Sequence, residues 1–471
     1  MQANLTKLFR AYDVRGVYGK DFDETFARQF GAAFGTWLIQ FKKTPTAPSV
    51  FVGQDVRPSS PSLTKALIEG LVSTGVQVTD AGITPSPLMY YLVWKHAATG
   101  GIQITASHNP ADQNGIKPAW NGIVLSAQDQ QQIKTLIEKG SFVTGAGSVQ
   151  SRNYDAEFLA HACQGLSCAK PLRVVVDAGN GTCGPLAIEL VKRLGATPIP
   201  LHCDPIAGFP NHQPDPLEPA NIKDIQEEVV RQKADLGIAF DGDGDRVAFI
   251  DDQGFAFSSD EALVLYLRDF ASNPTLMTTK PKVLYTVVMS NLIARQAQSL
   301  GFQGQIMPVG HTHIQHGMVN DNGLVAAETS GHFFFKDNGN YDDAFYAAAR
   351  FLHLASRLTQ PLSQVHAALP RFFSTYAFYI PCPDETKFQV AAAVKEALEK
   401  QYPVIAIDGV RVNLAQSWGI VRVSNTGPKL NLRFEGETQQ ALEQVYRLFA
   451  DHLAPHHLTL PPLSSVQTSS R

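Results

Sequence analysis

Cysteine is scarce in this chain. Cys163, Cys168, Cys183, Cys203 and Cys382 are odd in number and show no C-x-x-C spacing. A disulfide framework and a thiolate zinc site are therefore excluded as organising features. Long apolar runs are also missing. No stretch reaches the roughly 18 residues of a membrane-spanning helix. The segment Met1–Arg10 lacks the apolar centre of a secretory leader. A basic excess is absent as well: 39 Lys and Arg stand against 43 Asp and Glu, for a net charge of −4. Binders of nucleic acid or of membrane surfaces usually carry the opposite balance. The expectation is a cytoplasmic protein with neither nucleic acid nor membrane as a partner.

What is present is apolar material for several cores, 44% of 471 residues. At roughly 100–200 residues per domain this length predicts three or four domains. Three stretches share a pattern. Each opens with a strand candidate, at Ser49–Val52, Leu172–Val176 and Lys282–Val288. A probable helix follows, then a second apolar run at Gly101–Ile104, Asp235–Phe240 or Gly323–Ala327. Each second run ends in a polar loop: Thr105–Pro110, Asp241–Arg246 or Glu328–His332. Alternation of strand and helix implies βαβ units and mostly parallel sheets, here three times over. After about Gln364 the character changes. Phe372–Ile380, Val410–Leu414, Gly419–Val423 and Lys429–Phe434 read as neighbouring strands, and Gln439–Leu453 as a closing helix. The Ser, Thr and Pro in Pro461–Arg471 predict a frayed end. The fold class expected is α/β, with three similar mixed or parallel-sheet domains and a smaller C-terminal α+β domain. The domain boundaries expected are 1–150, 151–252, 253–366 and 367–471.

The densest chemistry lies in Asp241-Gly242-Asp243-Gly244-Asp245-Arg246. Three carboxylates two residues apart repel one another unless a cation lies between them. A hard, oxygen-seeking ion such as Mg²⁺ suits them, and strand-end loops are where α/β proteins bind ligands. A solvated acidic turn is the plainer reading. In the loop Thr105-Ala106-Ser107-His108-Asn109-Pro110, small neighbours leave the Ser107 hydroxyl accessible and His108 stands next to it as a proton carrier. Lys117 follows in the same unit. No G-x-S-x-G elbow appears, so an α/β-hydrolase is not supported. A hydroxyl facing a divalent cation, with Lys and Arg nearby, is what phosphoryl transfer needs.

Other loops fit a phosphorylated polyol. Glu328-Thr329-Ser330-Gly331-His332 gathers an acceptor, two hydroxyls and an imidazole. Arg422-Val423-Ser424-Asn425-Thr426-Gly427 combines a guanidinium with hydroxyl, amide and backbone donors, either a phosphate nest or an ordinary hairpin. Arg10-Ala11-Tyr12-Asp13-Val14-Arg15 reads locally as a salt-bridged surface. His313 reads as a loop residue and His311 as a possible substrate contact. Two rival readings need weighing. Gly179-Asn180-Gly181-Thr182-Cys183-Gly184 follows a strand, opens a helix and precedes Asp204 by about twenty residues, the context of a dinucleotide fingerprint. An NAD-dependent oxidoreductase would use it, yet that reading leaves the aspartate run and the serine loop without a role. A calcium-binding module fits the opening of D-x-D-x-D. It then fails, because position six is Arg246, position twelve is Asp252, and a strand precedes the run.

Taken together the motifs resemble the α-D-phosphohexomutase family, in its phosphomannomutase/phosphoglucomutase branch. Phe9–Gly16 is similar to the family's N-terminal signature, Thr105–Pro110 to its phosphoserine loop and Asp241–Arg246 to its metal loop. Glu328–His332 is similar to its sugar loop, Arg422–Thr426 to its phosphate-binding loop, and Phe209–Pro216 to a further family segment. The resemblance implies four domains around a central cleft and interconversion of hexose 1-phosphate and hexose 6-phosphate, of mannose or glucose. It implies a phosphorylated Ser107, a hexose 1,6-bisphosphate intermediate that also serves as activator, and Mg²⁺ held by Ser107, Asp241, Asp243 and Asp245. Arg15, Lys117 and Arg246 would stabilise the transferring group, with His108 and His311 as proton carriers. Tyr12, Glu328, Ser330, His332, Arg422, Ser424, Asn425 and Thr426 would hold the substrate. A small phosphosugar is the partner implied, and a monomer or weak dimer the form. A glucosamine-phosphate mutase shares most of these loops and stands as the alternative. One departure is visible: Met289 stands near the place where family members often carry Lys. His313, Gln315 and His316 give the neighbouring segment an unusual character.

Overall fold

The computed structural model describes residues 5–9, 13–44, 47–424 and 427–467. Among these the strands form four sheets. The first contains β1 (Val14–Val17), β2 (Ser49–Gln54), β3 (Gln77–Ile83), β4 (Gly100–Ile104), β5 (Gln113–Trp120), β6 (Ile123–Val124) and β7 (Ser148–Ser151). Its order is β1-β5-β4-β2-β3-β7, with β6 on β5. The second holds β8 (Arg173–Asp177), β9 (Thr197–Leu201), β10 (Leu236–Phe240) and β11 (Val247–Asp251), in the order β11-β10-β8-β9. The third holds β12 (Lys282–Thr286), β13 (Gln303–Met307), β14 (Gly323–Ala327) and β15 (Phe333–Phe335), in the order β13-β12-β14-β15.

Reduced to β5-β4-β2-β3, the first sheet matches the other two. Each has three parallel strands and one antiparallel return strand at the edge. In each unit the polar loop joins the last parallel strand to the return strand: β4 to β5, β10 to β11, β14 to β15. The three chemically loaded loops therefore occupy one topological position. The strands that carry them are apolar because both faces are covered; every residue of β4 and β10 is buried.

The fourth sheet is antiparallel. It contains β16 (Phe373–Ser374), β17 (Phe378–Pro381), β18 (Val404–Ile405), β19 (Val410–Asn413), β20 (Ser417–Val423) and β21 (Lys429–Gly436), ordered β16-β21-β20-β19-β18 with β17 also on β21. Helices Lys387–Glu399 and Gln439–Leu453 contribute buried residues to its core. The single strand expected over 372–380 is two. Thr375 stays bonded to Phe434 of β21 while also bridging Gln467, and strand pairing with β21 resumes at Phe378 shifted by one residue. The same bridge corrects the expectation of a frayed end from Pro461. Val466 is buried, the Tyr376 hydroxyl donates to Ser465 O at 2.8 Å, and the Tyr446 hydroxyl donates to Pro461 O. The tail is packed as far as Gln467; residues 468–471 lie outside the described set.

The domains are locked by side chains that bond backbone across the joints. Gln315, on the helix His311–Asn320 of the third domain, donates to Gly122 O at 2.8 Å and accepts from Val124 N at 2.9 Å. It extends the β6 edge of the first sheet much as a strand would. His316 lies 3.3 Å from Val124 O. This gives the unusual Gln315–His316 pair a structural role. Met289 does not face the cleft: it is fully buried in the core, and its carbonyl accepts from Arg411 of β19 at 2.9 Å. Arg411 also donates to Val287 O at 2.6 Å and to Asn291 Oδ1 at 2.6 Å, and stacks on Trp418 at 3.8 Å. Arg433 of β21 donates to Val288 O at 2.7 Å. Two arginines of the fourth domain thus serve the strand end where a family lysine was expected.

Replacing Gln315 with Ala leaves Gly122 O and Val124 N buried without these partners. The expected loss is about 2–4 kcal/mol of unfolding free energy in urea. A change under about 0.5 kcal/mol, the range of ordinary surface substitutions, would show that the clamp is dispensable.

Candidate active site

The aspartate loop is shaped by its own first residue. Asp241 Oδ1 accepts from the backbone N–H groups of Gly244, Asp245 and Arg246 at 2.8, 3.1 and 3.2 Å. Gly244 has φ +79°, a left-handed turn that favours glycine. The other oxygen, Oδ2, accepts from Ser107 Oγ at 2.7 Å. A loop of the second sheet thus meets a loop of the first at hydrogen-bond distance. Glycine permits it: a Cβ on Gly242 would lie 2.6 Å from Ser107 O. The Gly179–Gly184 turn braces the far side. Thr182 N donates to Gly242 O at 3.0 Å, and a Cβ on Gly181 would lie 2.8 Å from Gly242. A Cβ on Gly184 would overlap the Cys203 carbonyl. These glycines are used in packing the aspartate loop against strand and turn, and the dinucleotide reading falls with that finding. Segment Phe209–Pro216 completes the brace, since Pro214 O accepts from Gly242 N at 3.1 Å.

Ser107 has φ +54°, which is uncommon for a residue with a Cβ. Arg57, missed in the sequence, holds it there. Its guanidinium donates to Ser107 O, Asn109 O, Pro110 O and Gln113 O at 2.8, 2.7, 2.5 and 3.0 Å, and to Asp55 Oδ2 at 2.9 Å. It also sits 5.1 Å from the Phe209 ring centre. An Asp-x-Arg immediately after β2 was the available signal, at the carboxyl end of the parallel strands where ligand loops gather. Ser86 was missed too. Its hydroxyl donates to Asp243 Oδ2 at 2.6 Å and its N–H to Asp243 O at 2.7 Å, from the N-terminal end of helix Ser86–Lys95.

The charges balance in a buried cluster. Lys117, on β5, places Nζ 2.6 Å from both Asp243 Oδ2 and Asp245 Oδ2. Burial opposes its charge, but the two aspartates outweigh burial and hold the ammonium well above the usual range. Burial and the neighbouring Asp245 and Asp243 push Asp241 well up. Burial works against Asp245 as well, but Lys117 and His332 keep it well below the carboxylate range. His332 Nε2 lies 3.4 Å from Asp245 Oδ1, and Nδ1 lies 3.1 Å from Glu328 Oε2 and 3.0 Å from Ser330 Oγ. Burial opposes the imidazolium, yet the two carboxylates push it up to about 10. Arg246 Nε sits 3.3 Å from the same ring nitrogen. His311 stacks on His332 at 5.7 Å, and its Nδ1 lies 3.2 Å from Asp342 Oδ2. His108 behaves differently: burial, then Arg246 and Arg15, push it down to about 3. Its Nδ1 lies 3.1 Å from Ser107 Oγ. Arg15 reaches Ala106 O at 3.4 Å and Asn109 Oδ1 at 3.3 Å.

The residues fit a divalent, oxygen-bound cation. Asp241, Asp243 and Asp245 offer carboxylate oxygens within 4.8 Å of one another. Asp243 Oδ1 is buried without a hydrogen-bond partner, and Asp245 Oδ1 has only the His332 ring nitrogen at 3.4 Å. Such orphaned acceptors are costly unless an ion satisfies them. Beside this cluster a cavity of about 1390 Å³ is lined by Val288, Ser290, Val309, Thr329, Ser330 and Arg422, among others. It joins the Glu328–His332 loop to the strand that carries Arg422. Ser424 is buried, and its carbonyl accepts from the buried Lys387 at 2.8 Å. Tyr12, Asn425 and Thr426 lie outside the described residues.

Comparison with known proteins agrees with this geometry in every part of the chain. Residues 6–144, 156–254 and 258–373 match alpha/beta/alpha domains I, II and III of phosphoglucomutase/phosphomannomutase, and residues 379–452 match its C-terminal domain. The chain belongs to the phosphoglucomutase/phosphomannomutase family. It is 36% identical over 457 residues to a phosphomannomutase/phosphoglucomutase of Pseudomonas aeruginosa, covering 96% of this chain and 97% of that one. It is 34% identical over 455 residues to a phosphoglucomutase of Neisseria meningitidis, covering 95% and 97%. The crystal structure of a phosphoglucomutase/phosphomannomutase family protein from Burkholderia thailandensis superposes with a TM-score of 0.90 at 31% identity, covering 98% of this chain and 100% of that one. Membership accounts for the order of the four loops. No described helix is long and apolar enough to cross a membrane.

Two outcomes are expected of this phosphohexomutase scaffold. Arg57→Met strips four loop carbonyls of their donor; unfolding stability falls by about 3 kcal/mol or more, measured in urea, and Ser107 loses its fixed backbone. An unchanged denaturation midpoint would contradict this role. The second concerns pH. His212 Nε2 lies 3.2 Å from Asp177 Oδ2, and although burial opposes it, Asp177 raises the imidazolium above its ordinary value. That stabilisation is fully present below about pH 6.5, the unfolded value, and is lost as pH rises through the folded value. The stability difference between the wild type and His212→Gln, measured in urea from pH 5.5 to 8, shrinks with rising pH. A difference that grows with pH would reverse the assignment.

Proposed function

We propose that this protein is a phosphohexomutase that interconverts hexose 1-phosphate and hexose 6-phosphate, of glucose or mannose, through a phosphorylated Ser107. The observation that carries the reading is the 2.7 Å contact between Ser107 Oγ and Asp241 inside a buried acidic cluster that also holds Lys117. A hydroxyl so placed exchanges a phosphoryl group more readily than it performs acyl or hydride chemistry. Relatives at 36% and 34% identity are phosphomannomutase/phosphoglucomutase and phosphoglucomutase. A probable phosphoglucosamine mutase of Methanothermobacter thermautotrophicus matches at 31%, which leaves glucosamine phosphate as the weaker alternative.

In the first half-reaction the bond from phosphorus to Ser107 Oγ breaks as a bond to a sugar hydroxyl oxygen forms, and the hydroxyl proton leaves. In the second, the other phosphate of the resulting bisphosphate returns to Oγ and its former sugar oxygen takes up a proton. Lys117, Arg246 and Arg15 lie where negative charge shifts between the two oxygens, and such stabilisation is usually the largest catalytic term. His108, with Nδ1 3.1 Å from Ser107 Oγ, is the candidate proton carrier on the serine side; His311, held at Asp342, serves the sugar side. Glu328, Ser330 and His332 grip sugar hydroxyls. Arg422 and Ser424, with Asn425, Thr426 and Tyr12, hold the phosphate that is not reacting. Asp241, Asp243, Asp245 and the Ser107 oxygen would hold Mg²⁺, which supplies Lewis-acid neutralisation of phosphoryl charge. Hexose 1,6-bisphosphate loads Ser107 and so acts as activator. The free thiols of all five cysteines suit a reducing cytoplasm. The acting form is a monomer or weak dimer.

Purified enzyme should convert glucose 1-phosphate or mannose 1-phosphate when primed with hexose 1,6-bisphosphate. Ser107→Ala should lower turnover by about 10³-fold or more, since no alternative acceptor stands in its place. Chelation should abolish activity and Mg²⁺ restore it. Near-normal turnover of the Ala variant, or full activity in chelator, would reject the mechanism.

A further inference from the structure

Asp408 is the acidic group most closely engaged with Arg422, and it belongs to the turn between β18 and β19. Arg422 Nε donates to Asp408 O at 3.0 Å and Nη2 donates to Asp408 Oδ2 at 2.6 Å. A guanidinium has two hydrogen-bonding edges. Asp408 occupies the edge formed by Nε and Nη2, and no other bond to the group occurs among the described residues. The Nη1 edge is left for an anion in the cavity that Arg422 lines. The turn is built for this grip. Asp408 itself has φ +47° and Gly409 φ +131°. A Cβ on Gly409 would lie 2.5 Å from Arg422 Cγ. A left-handed residue with a side chain persists only where its surroundings over-determine it.

The same oxygen also crosses a domain boundary. Asp408 Oδ2 accepts from the backbone N–H of Val309 in the third domain at 3.0 Å. The next residue, Gly310, donates its N–H to Glu328 Oε1 at 2.8 Å. One carboxylate therefore ties a phosphate-facing arginine to the segment that anchors the sugar loop.

We propose that Asp408 is a positioning residue: it presents Arg422 to the non-reacting phosphate of the substrate and, through Val309, couples the seating of that phosphate to docking of the fourth domain on the third. The proposal rests on Arg422 being a phosphate ligand. A carboxylate on a phosphate-binding arginine has two opposed effects. It draws positive charge away from the ligand, and it holds the guanidinium in place so that less conformational freedom is lost on binding. Asp408 also bonds Val309 across the joint between the two domains. On this geometry the positioning effect prevails, and removing the carboxylate weakens binding.

The test is a double-mutant cycle on the full-length enzyme with glucose 1-phosphate and with mannose 1-phosphate. Asp408→Gly removes the side chain without straining a left-handed turn. It is expected to raise KM about tenfold, equivalent to about 1.4 kcal/mol, with kcat changed by less than about threefold. Arg422→Met is expected to raise KM at least as much, and the double variant to be no worse than Arg422→Met alone, because the two residues act as one unit. Hydrogen exchange at the Val309 amide is expected to quicken in Asp408→Gly. Asp408→Asn keeps an acceptor for Val309 but no charge for Arg422, tolerates the left-handed turn, and should give an intermediate KM. If the Gly variant does not fold, an unchanged KM in Asp408→Asn overturns the proposal. Unchanged or tighter binding in Asp408→Gly, or additive effects in the cycle, also overturns it. An unchanged KM in Arg422→Met would instead remove Arg422 from the phosphate site, and the inference with it.

Discussion

Three carboxylates from one six-residue loop converge beneath a single buried hydroxyl, and the rest of the site answers the charge they bring. Burial disfavours a carboxylate's charge, and like charges at this range repel strongly once water is excluded; together they push Asp241 well up. The protein supplies part of the answer from separate elements. Lys117 comes from the return strand of the first sheet, where its register opposite Gln103 sets its height. His332 comes from the equivalent loop of the third sheet. The N-terminal end of the helix Ser86–Lys95 brings Ser86 and the positive end of a helix dipole to Asp243. The orphaned oxygen of Asp243 is what a metal ion would satisfy. Coulomb balance thus dictates which loops must meet, and the triplicated topology lets them meet, because each sheet delivers its loop from the same position.

Close approach is the second constraint, and glycine and arginine satisfy it in different ways. Gly242 and Gly181 let three stretches of backbone stack without side chains between them. Arg57 does the opposite. It fills the space under the serine loop with one planar group and bonds four of its carbonyls at once. Ser107 keeps its strained backbone because this bonding leaves it nowhere else to go.

These differences explain what was legible in the sequence. The apolar runs and the loops after them could be read because burial on both faces leaves an unbroken hydrophobic signature, and a loop dense in Asp, Ser or His contrasts with it. The aspartate run, the serine loop and the sugar loop stood out for that reason. Arg57, Ser86 and Asp408 did not, and Gln315 stood out only as unusual, without a role. Each acts wholly or partly on backbone groups distant in the chain, and a carbonyl or amide leaves no trace in residue identity. The Gly179–Gly184 run misled because a tight strand-to-helix turn has the same local pattern whether a pyrophosphate or a neighbouring loop lies against it. Met289 misled in a related way. The chain turns its side chain into the core, and the arginines serving that strand end come from β19 and β21. The segment 372–380 looked continuous because its residues suit a strand throughout, while the tail that interrupts it pairs from ninety residues away.

The joints differ in physical kind. One apolar core runs from Phe51 to Leu369 and includes residues of all three α/β units, so those units share buried surface that cannot separate without exposing it. The fourth domain has its own core, from Phe378 to Val466. Its joint to the third combines a small cluster around Val287, Trp418 and Ile420 with the polar contacts of Arg411, Arg433 and Asp408. Polar contacts to backbone are specific in register, yet on separation each group regains a hydrogen bond from water, so the net cost of opening is modest. An enzyme that must admit a phosphosugar, turn it over and shut out water between two transfers needs one such joint. The division of cores puts it between the third and fourth domains, where Arg422 stands on one side and Glu328 on the other.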